Sequence, residues 1–324
     1  MAIPTTLTYR LSIPVIAAPM TAVSGPDLVI AACRNGVIGS FPTHNAESTD
    51  ELDKWMRQIA AASAACEGRV APAAPNLVVH RTNDRLRGDL DCLIRHGVEM
   101  VITSVGSPAP VIGPLHEIGC AVYADVSSMA HARRAIDAGV DGLVLLTAGA
   151  GGQTGWANPF AFTRAVRPLF DGPIVLAGGI GDGASILAAR VLGADLVYLG
   201  TRFIATTESL ARPEYRAALL EATLDDVELS TRVGGIPASL LRSWLALDEQ
   251  TTADSAASGF TQDRLLRNRR AWSAGHSVTS IESVTSATAL ITELITQYER
   301  AVADLPTATP LPASTADSPT TTRR

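Results

Sequence analysis

Pro173-Ile-Val-Leu-Ala-Gly-Gly-Ile-Gly-Asp-Gly183 is followed by a helical pattern that reaches Leu192, by Gly193, and then by Leu196-Val-Tyr-Leu-Gly-Thr-Arg-Phe203. Both apolar runs are aliphatic throughout rather than alternating, as strands buried on both faces should be. Asp182 to Leu192 has helical spacing, and Gly193 supplies a helix stop. Two parallel strands need a crossover of this kind. The stretch therefore reads as strand, glycine loop, helix, strand, glycine loop.

Working outward, the same unit recurs. Pro14-Val-Ile-Ala17, Gly36-Val-Ile-Gly39, Arg69-Val-Ala71, Met100-Val-Ile-Thr103, Cys120-Ala-Val-Tyr123 and Gly142-Leu-Val-Leu-Leu146 bring the number of apolar runs to eight. Ser128 to Ala138 is again helical, with Gly139 as its stop. Eight evenly spaced β-α units predict a closed (β/α)8 barrel over residues 1–204, and a doubly wound open sheet is the runner-up. The pattern then changes. Residues 205–277 read as a small, mostly helical domain inserted after the eighth strand, with a turn at Val233-Gly-Gly-Ile-Pro237 and a polar stretch from Asp248 to Ser258. Within residues 278–303, Ile281, Val284, Leu290, Ile291, Leu294 and Ile295 mark an amphipathic final barrel helix. Residues 304–324 are rich in Pro, Thr, Ser and Ala without apolar period and read as a disordered tail.

Composition narrows the chemistry. Of 324 residues, 47% are hydrophobic and 18% charged, enough apolar material for a packed core. A net charge of −6 gives no footprint for nucleic acid or for an anionic membrane surface. No apolar run is long enough to span a bilayer. Lys54 is the only lysine and sits in a helix-surface pattern, Glu51-Leu-Asp-Lys-Trp-Met-Arg57, so Schiff-base or P-loop chemistry has no good candidate. Cys33, Cys66, Cys92 and Cys120 form no C-x-x-C pair and no zinc spacing. They read as isolated thiols, and the expected location is cytoplasmic.

In a barrel of this type the active site lies where strands end and helices begin. After the seventh and eighth strands come the glycine loops Ala177-Gly-Gly-Ile-Gly-Asp-Gly183 and Gly200-Thr-Arg-Phe203. Either loop alone is turn chemistry as readily as a binding site. Together, at neighbouring strand ends, they suit a phosphate held by backbone N–H groups and a helix N-terminus. After the sixth strand, Thr147-Ala-Gly-Ala-Gly-Gly-Gln-Thr-Gly155 would let backbone approach a flat ligand. The first strand ends in Ala17-Ala-Pro-Met20, which is either core packing or a soft thioether laid against an aromatic cofactor ring. The third leads into Pro75-Asn76, whose amide suits a pyrimidine-like edge or simply a turn. His44, just after the second strand, is a substrate-pocket candidate, and Trp156 and Phe160 are candidate pocket walls. His80 is a weaker candidate; His96, His116 and His131 fall in helical patterns and read as surface residues. Arg202 fits a structural ion pair as well as a cofactor contact.

Ala17-Ala-Pro-Met20, Pro75-Asn76-Leu77, Ala148-Gly-Ala-Gly-Gly152, Ala177-Gly-Gly-Ile180, Gly200-Thr-Arg-Phe203 and Trp272-Ser-Ala-Gly275 occur in the order seen in nitronate monooxygenases, and the chain resembles that family across roughly residues 12–303. The broader superfamily includes flavin-dependent enoyl-ACP and quinone reductases. The resemblance implies a TIM barrel that binds FMN noncovalently. On that reading Ala18, Pro19 and Met20 line the flavin ring and Asn76 touches its polar edge. Gly151 and Gly152 pass close to the cofactor, and Gly178, Gly179, Gly200 and Thr201 hold its phosphate.

One departure bears on mechanism. The family typically carries His after the paired glycines of the strand-six loop, the usual general base, and here that position is Gln153. An amide does not abstract a proton near neutral pH, though it can hydrogen-bond a nitro, carbonyl or thioester oxygen. Where the family often reads Trp/Tyr-x-Ala-Gly-Gln, this chain ends in His276. The two side-chain types are exchanged, which predicts either an imidazole supplied by His276 or a reaction needing no base. An alkyl nitronate is already an anion, so its oxidation by O2 to a carbonyl compound and nitrite fits the second option. The alternatives are NAD(P)H-dependent reduction of an activated C=C bond or a quinone, a flavin-binding protein without catalysis, and a non-redox phosphate-ligand enzyme. The last lacks the expected lysine or paired carboxylates, since Asp125 and Asp182 are the only strand-end acids.

Overall fold

A computed structural model describes residues 3–247 and 259–305. The expected polar stretch from Asp248 to Ser258, and nearly all of the expected tail, lie outside the described residues. In chain order the strands are β1 (Val15–Ala17), β2 (Ile38–Pro42), β3 (Ala73–Val78), β4 (Met100–Ser104), β5 (Ala121–Val126), β6 (Gly142–Leu146), β7 (Gly152–Gln153), β8 (Ile174–Ala177), β9 (Leu196–Leu199), β10 (Val227–Ser230) and β11 (Ala238–Leu241). Eight of them, β1-β2-β3-β4-β5-β6-β8-β9, close a barrel, and β9 pairs in parallel with β1 through Val15↔Val197 and Ala17↔Leu199. The expected (β/α)8 barrel is the fold.

Successive side chains along each strand point alternately inward and outward. Ile16, Ile38, Ile102, Tyr123, Val144, Val175 and Leu196 fill the barrel interior, while Val101, Val122, Leu143, Ile174 and Val197 pack outward against the helices. Helix ends follow their local chemistry. Ser128 and Asp182 cap helices Met129–Ala138 and Gly183–Leu192, and Gly139 and Gly193 end them with φ of 88° and 108°, a conformation suited to glycine. Helix Ala287–Ala303 packs between Gly183–Leu192 and Pro26–Arg34, completing the ring of barrel helices.

Two expectations need correcting. The third strand is not Arg69-Val-Ala71 but Ala73–Val78, so Asn76 lies within a strand rather than beyond one. Pro72 and Pro75 suggest a break there locally, yet pairing with β2 and β4 (Phe41↔Pro75, Asn76↔Ile102) prevails. The segment after the eighth strand is also less helical than expected. Beside helices Pro213–Glu221, Arg242–Leu247 and Gln262–Arg267 it holds β10 and β11, which join β7 in an antiparallel sheet ordered β10-β11-β7. Its own small core is Val233, Leu240, Leu245, Phe260 and Leu265, closed over Val78 of the barrel.

Candidate active site

The C-terminal ends of the barrel strands open into a cavity of about 1270 Å3, its mouth included, lined by loops from every expected motif. Ala18, Pro19, Met20, His44, Asn76, Gly151, Gly152, Gln153, Gly178, Gly179, Gly200 and Thr201 all line it.

The first loop is held by its neighbour. Asn45 Oδ1 accepts from Ala22 N at 2.8 Å, and its Nδ2 donates to the Met20 and Ser24 carbonyls, both at 2.8 Å. That lock fixes Met20 against the cavity and holds Ala22 at φ 59°, a conformation L-residues seldom adopt. Asn45 was missed in the sequence; its only signal was an Asn beside His44 in a strand-to-helix loop.

The glycine loops form a side-chain-free wall. Gly179 has φ 70°, and a Cβ built there meets nothing within 4 Å. A Cβ on Gly200 would lie 3.4 Å from Met20 Sδ and 3.6 Å from Ala18 Cβ, on the cavity face. Thr201 Oγ1 accepts from Gly275 N at 2.9 Å, tying the eighth-strand loop to the Trp272-Ser-Ala-Gly275 segment. Thr147, fully buried, donates to the Ala177 carbonyl at 2.6 Å and joins the sixth- and seventh-strand loops.

Inside, the polar groups sit at inward positions of otherwise apolar strands. Asn76 donates to the Ile102 carbonyl at 3.2 Å and accepts from Ser104 Oγ at 3.2 Å. Asp125 on β5 and Tyr198 on β9 also line the cavity, and among the described residues neither the buried Asp125 Oδ1 nor the buried Tyr198 hydroxyl has a partner within hydrogen-bond distance. Burial pushes the Asp125 carboxyl up to about 8 and raises the Tyr198 phenol. His44 is 6% exposed; its Nε2 meets Thr21 Oγ1 at 3.0 Å and its Nδ1 has no partner among the described residues. Burial, reinforced by Arg269 and Arg85, lowers its pKa to about 4, so the ring is neutral at pH 7. Arg269 lines the same side of the site and donates to the Asn45 carbonyl at 3.4 Å.

Of the exchanged pair, one side chain lines the cavity and the other does not. Gln153 lies on β7, paired with Ala238, and lines the cavity. His276 opens the short helical turn His276–Ser280, is exposed, and lies outside the cavity lining. Its backbone N–H donates to the Gly149 carbonyl at 2.9 Å, and its Nδ1 would stand 2.9 Å from a Cβ on Gly149. Trp156, expected in the substrate pocket, is 86% exposed and Phe160 is 60% exposed; neither lines the cavity, because the chain turns outward after Gly155 to start helix Pro159–Val166. Arg202 donates to Glu293 at 3.1 Å and to the Gly181 carbonyl of the seventh-strand loop at 2.8 Å, a structural pair that ties that loop to the last helix. His96, His116 and His131 lie outside the cavity lining, hydrogen-bonded to Asp53, Asp141 and Ser127.

The sequence profile of the nitronate monooxygenase family matches residues 5–297. A (3aS,4S,5R,7aS)-5-hydroxy-7a-methyl-1-oxo-octahydro-1H-indene-4-carboxyl-CoA dehydrogenase from Mycobacterium tuberculosis is 30% identical over 262 residues, which cover 79% of this chain and 69% of that protein. A nitronate monooxygenase from Paraburkholderia phytofirmans is 30% identical over 275 residues, covering 72% of this chain and 75% of that protein. The solved structure of a nitroalkane oxidase from Streptomyces ansochromogenes has a TM-score of 0.80 at 22% identity, covers 93% of this chain and 100% of that one, and shares the fold. With its barrel, its cavity and this match over nearly the whole described chain, the protein belongs to the nitronate monooxygenase family of flavoprotein oxidoreductases.

Proposed function

We propose that the cavity binds FMN and that the enzyme oxidises an alkyl nitronate with O2, giving a carbonyl compound and nitrite. The observation that carries this reading is the convergence of all six motifs on one cavity, with two bare glycine loops side by side at the ends of β8 and β9. The residues fit FMN. A wall of backbone at Gly179 and Gly200 leaves the space that a phosphate requires, while Gly178 packs its backbone against Thr147. Met20 and Ala18 supply an apolar surface for a flat ring, and Asn76 a polar edge. When bound, the flavin supplies the electron transfer between nitronate and O2.

The chain's own residues bind and orient the substrate. Gln153 and His44 offer hydrogen bonds to an oxygen-rich group, and neither serves as a strong base: one is an amide, the other a neutral imidazole with a low pKa. Arg269 places a permanent positive charge at the same cavity, favouring an anionic substrate over a neutral nitroalkane. The sheet β10-β11-β7 contributes Gly152, Gln153 and Ala238 to the cavity wall. A second reading, redox chemistry on an acyl thioester, is favoured by the carboxyl-CoA dehydrogenase relative.

Anaerobic mixing of the flavin-loaded protein separates the two. Bleaching of the flavin absorbance by ethyl nitronate, with none by NADH or NADPH, supports the first reading. Bleaching by a nicotinamide cofactor or a saturated acyl-CoA, with none by nitronate, overturns it. A protein that takes up no FMN overturns both.

A further inference from the structure

We propose that Asp125 holds the flavin's pyrimidine end as a neutral carboxylic acid, donating its proton to a ring acceptor, with Tyr198 as a second donor from the facing strand. This deepens the proposed function and rests on its FMN site.

The argument starts from two unmet buried groups. Asp125 and Tyr198 occupy inward positions on β5 and β9 and both line the cavity; among the described residues Asp125 Oδ1 has no partner, and the Tyr198 hydroxyl has none within hydrogen-bond distance, Ser40 being the polar side chain that faces it. Buried polar groups are costly unless satisfied, so two of them at one cavity floor mark where a ligand's polar atoms go. They are close enough for an ionised Asp125 to act on the Tyr198 phenol. The other titratable or charged residues lining the cavity are His44, Tyr215 and Arg269. None of these moves Asp125, whose pKa of about 8 has burial as its only cause. No cation compensates a carboxylate there, and the group stays protonated at neutral pH. A neutral carboxyl needs an acceptor for its proton. The pyrimidine end of a flavin offers two carbonyls and a ring nitrogen against a single N–H donor. The other polar floor residue, Asn76, already donates to Ile102 and accepts from Ser104.

The test uses the full chain, stripped of flavin and titrated with FMN at about pH 6 and about pH 10, on either side of the Asp125 transition. Wild type should bind about tenfold or more weakly at the higher pH, because the ionised carboxyl no longer donates. Asp125→Asn, which keeps a donor and cannot ionise, should bind like wild type at the lower pH and show no such loss at the higher. Asp125→Leu should be about tenfold weaker at the lower pH. Tyr198→Phe should weaken binding at both pH values and retain the pH dependence. Infrared spectra of the flavin-free protein provide a second readout: a carboxylic-acid carbonyl band at neutral pH that Asp125→Asn removes. Equal FMN affinity in wild type, Asn and Leu variants, or affinity that rises with pH in wild type alone, overturns the inference. Absence of FMN binding by wild type is a different result and strikes the proposed function.

Discussion

Gly200 is the residue at which the phosphate cradle is most cleanly tested. Its φ of −106° suits any residue, and an added Cβ would project onto the cavity face beside Met20. Gly200→Val should leave the melting temperature near wild type and weaken FMN binding about 10- to 100-fold, the cost of overpacking a fixed space. Gly179→Val is the poorer probe, since its left-handed backbone adds about 1–2 kcal/mol of strain to any steric effect. At the exchanged pair the structure favours the amide. His276 lies outside the cavity lining, so His276→Ala should change turnover less than about tenfold, well short of the ~10²–10⁴-fold of a lost general acid or base. Gln153→Ala should raise KM for nitronate by the equivalent of about 1–3 kcal/mol with kcat little changed. Steady-state kinetics on the flavin-loaded variants checks both, and a His276→Ala collapse in kcat would restore the imidazole as the base.

At the scale of elements, β11 joins the mouth to the barrel. It pairs with β10 on one side and β7 on the other, and Leu240 is fully buried beneath it against Val78, Phe260 and Leu265. Leu240→Ala should cost about 2–5 kcal/mol, concentrated in this sheet. The expected readout is faster amide exchange in β7, β10 and β11, with barrel strands still protected, and a raised nitronate KM with FMN retained. This arrangement was hidden from the sequence. Gly152-Gln153 is too short to read as a strand, and its partner Ala238 is far along the chain, so no local period records the pairing. The barrel strands were legible for the opposite reason: burial on both faces writes an unbroken apolar run. Strand β3 was misplaced because Pro72 and Pro75 signal a break that lateral pairing overrides. The glycine loops were legible because several of their positions, Gly149, Gly152, Gly178 and Gly179, take a left-handed backbone that favours glycine, while Asp125 and Tyr198 became visible as a pair only once strand register showed both facing inward.

For the whole molecule, two buried groups set opposing pH dependences. The folded-state pKa of His44, about 4, lies below its unfolded value, so its contribution is present above about 6.5 and is lost as pH falls through 4. Asp125 has the reverse sign: its raised folded pKa gives a contribution present below about 3.8 and lost as pH rises through about 8. Denaturant unfolding of the flavin-free protein should therefore show Asp125→Asn gaining on wild type by a few kcal/mol between about pH 4 and about pH 8. A constant difference across that range would mean Asp125 is ionised in the folded state. The central claim, that this barrel is a flavin-dependent nitronate oxidase with no protein base, is tested most directly by aerobic turnover of ethyl nitronate and of neutral nitroethane by the FMN-loaded enzyme, following O2 uptake and nitrite. The account predicts nitrite and O2 consumption with the nitronate and about one-hundredth of that rate or less with nitroethane, the deficit expected without a general base. Equal rates on the two forms, or no nitrite from the nitronate, would contradict it.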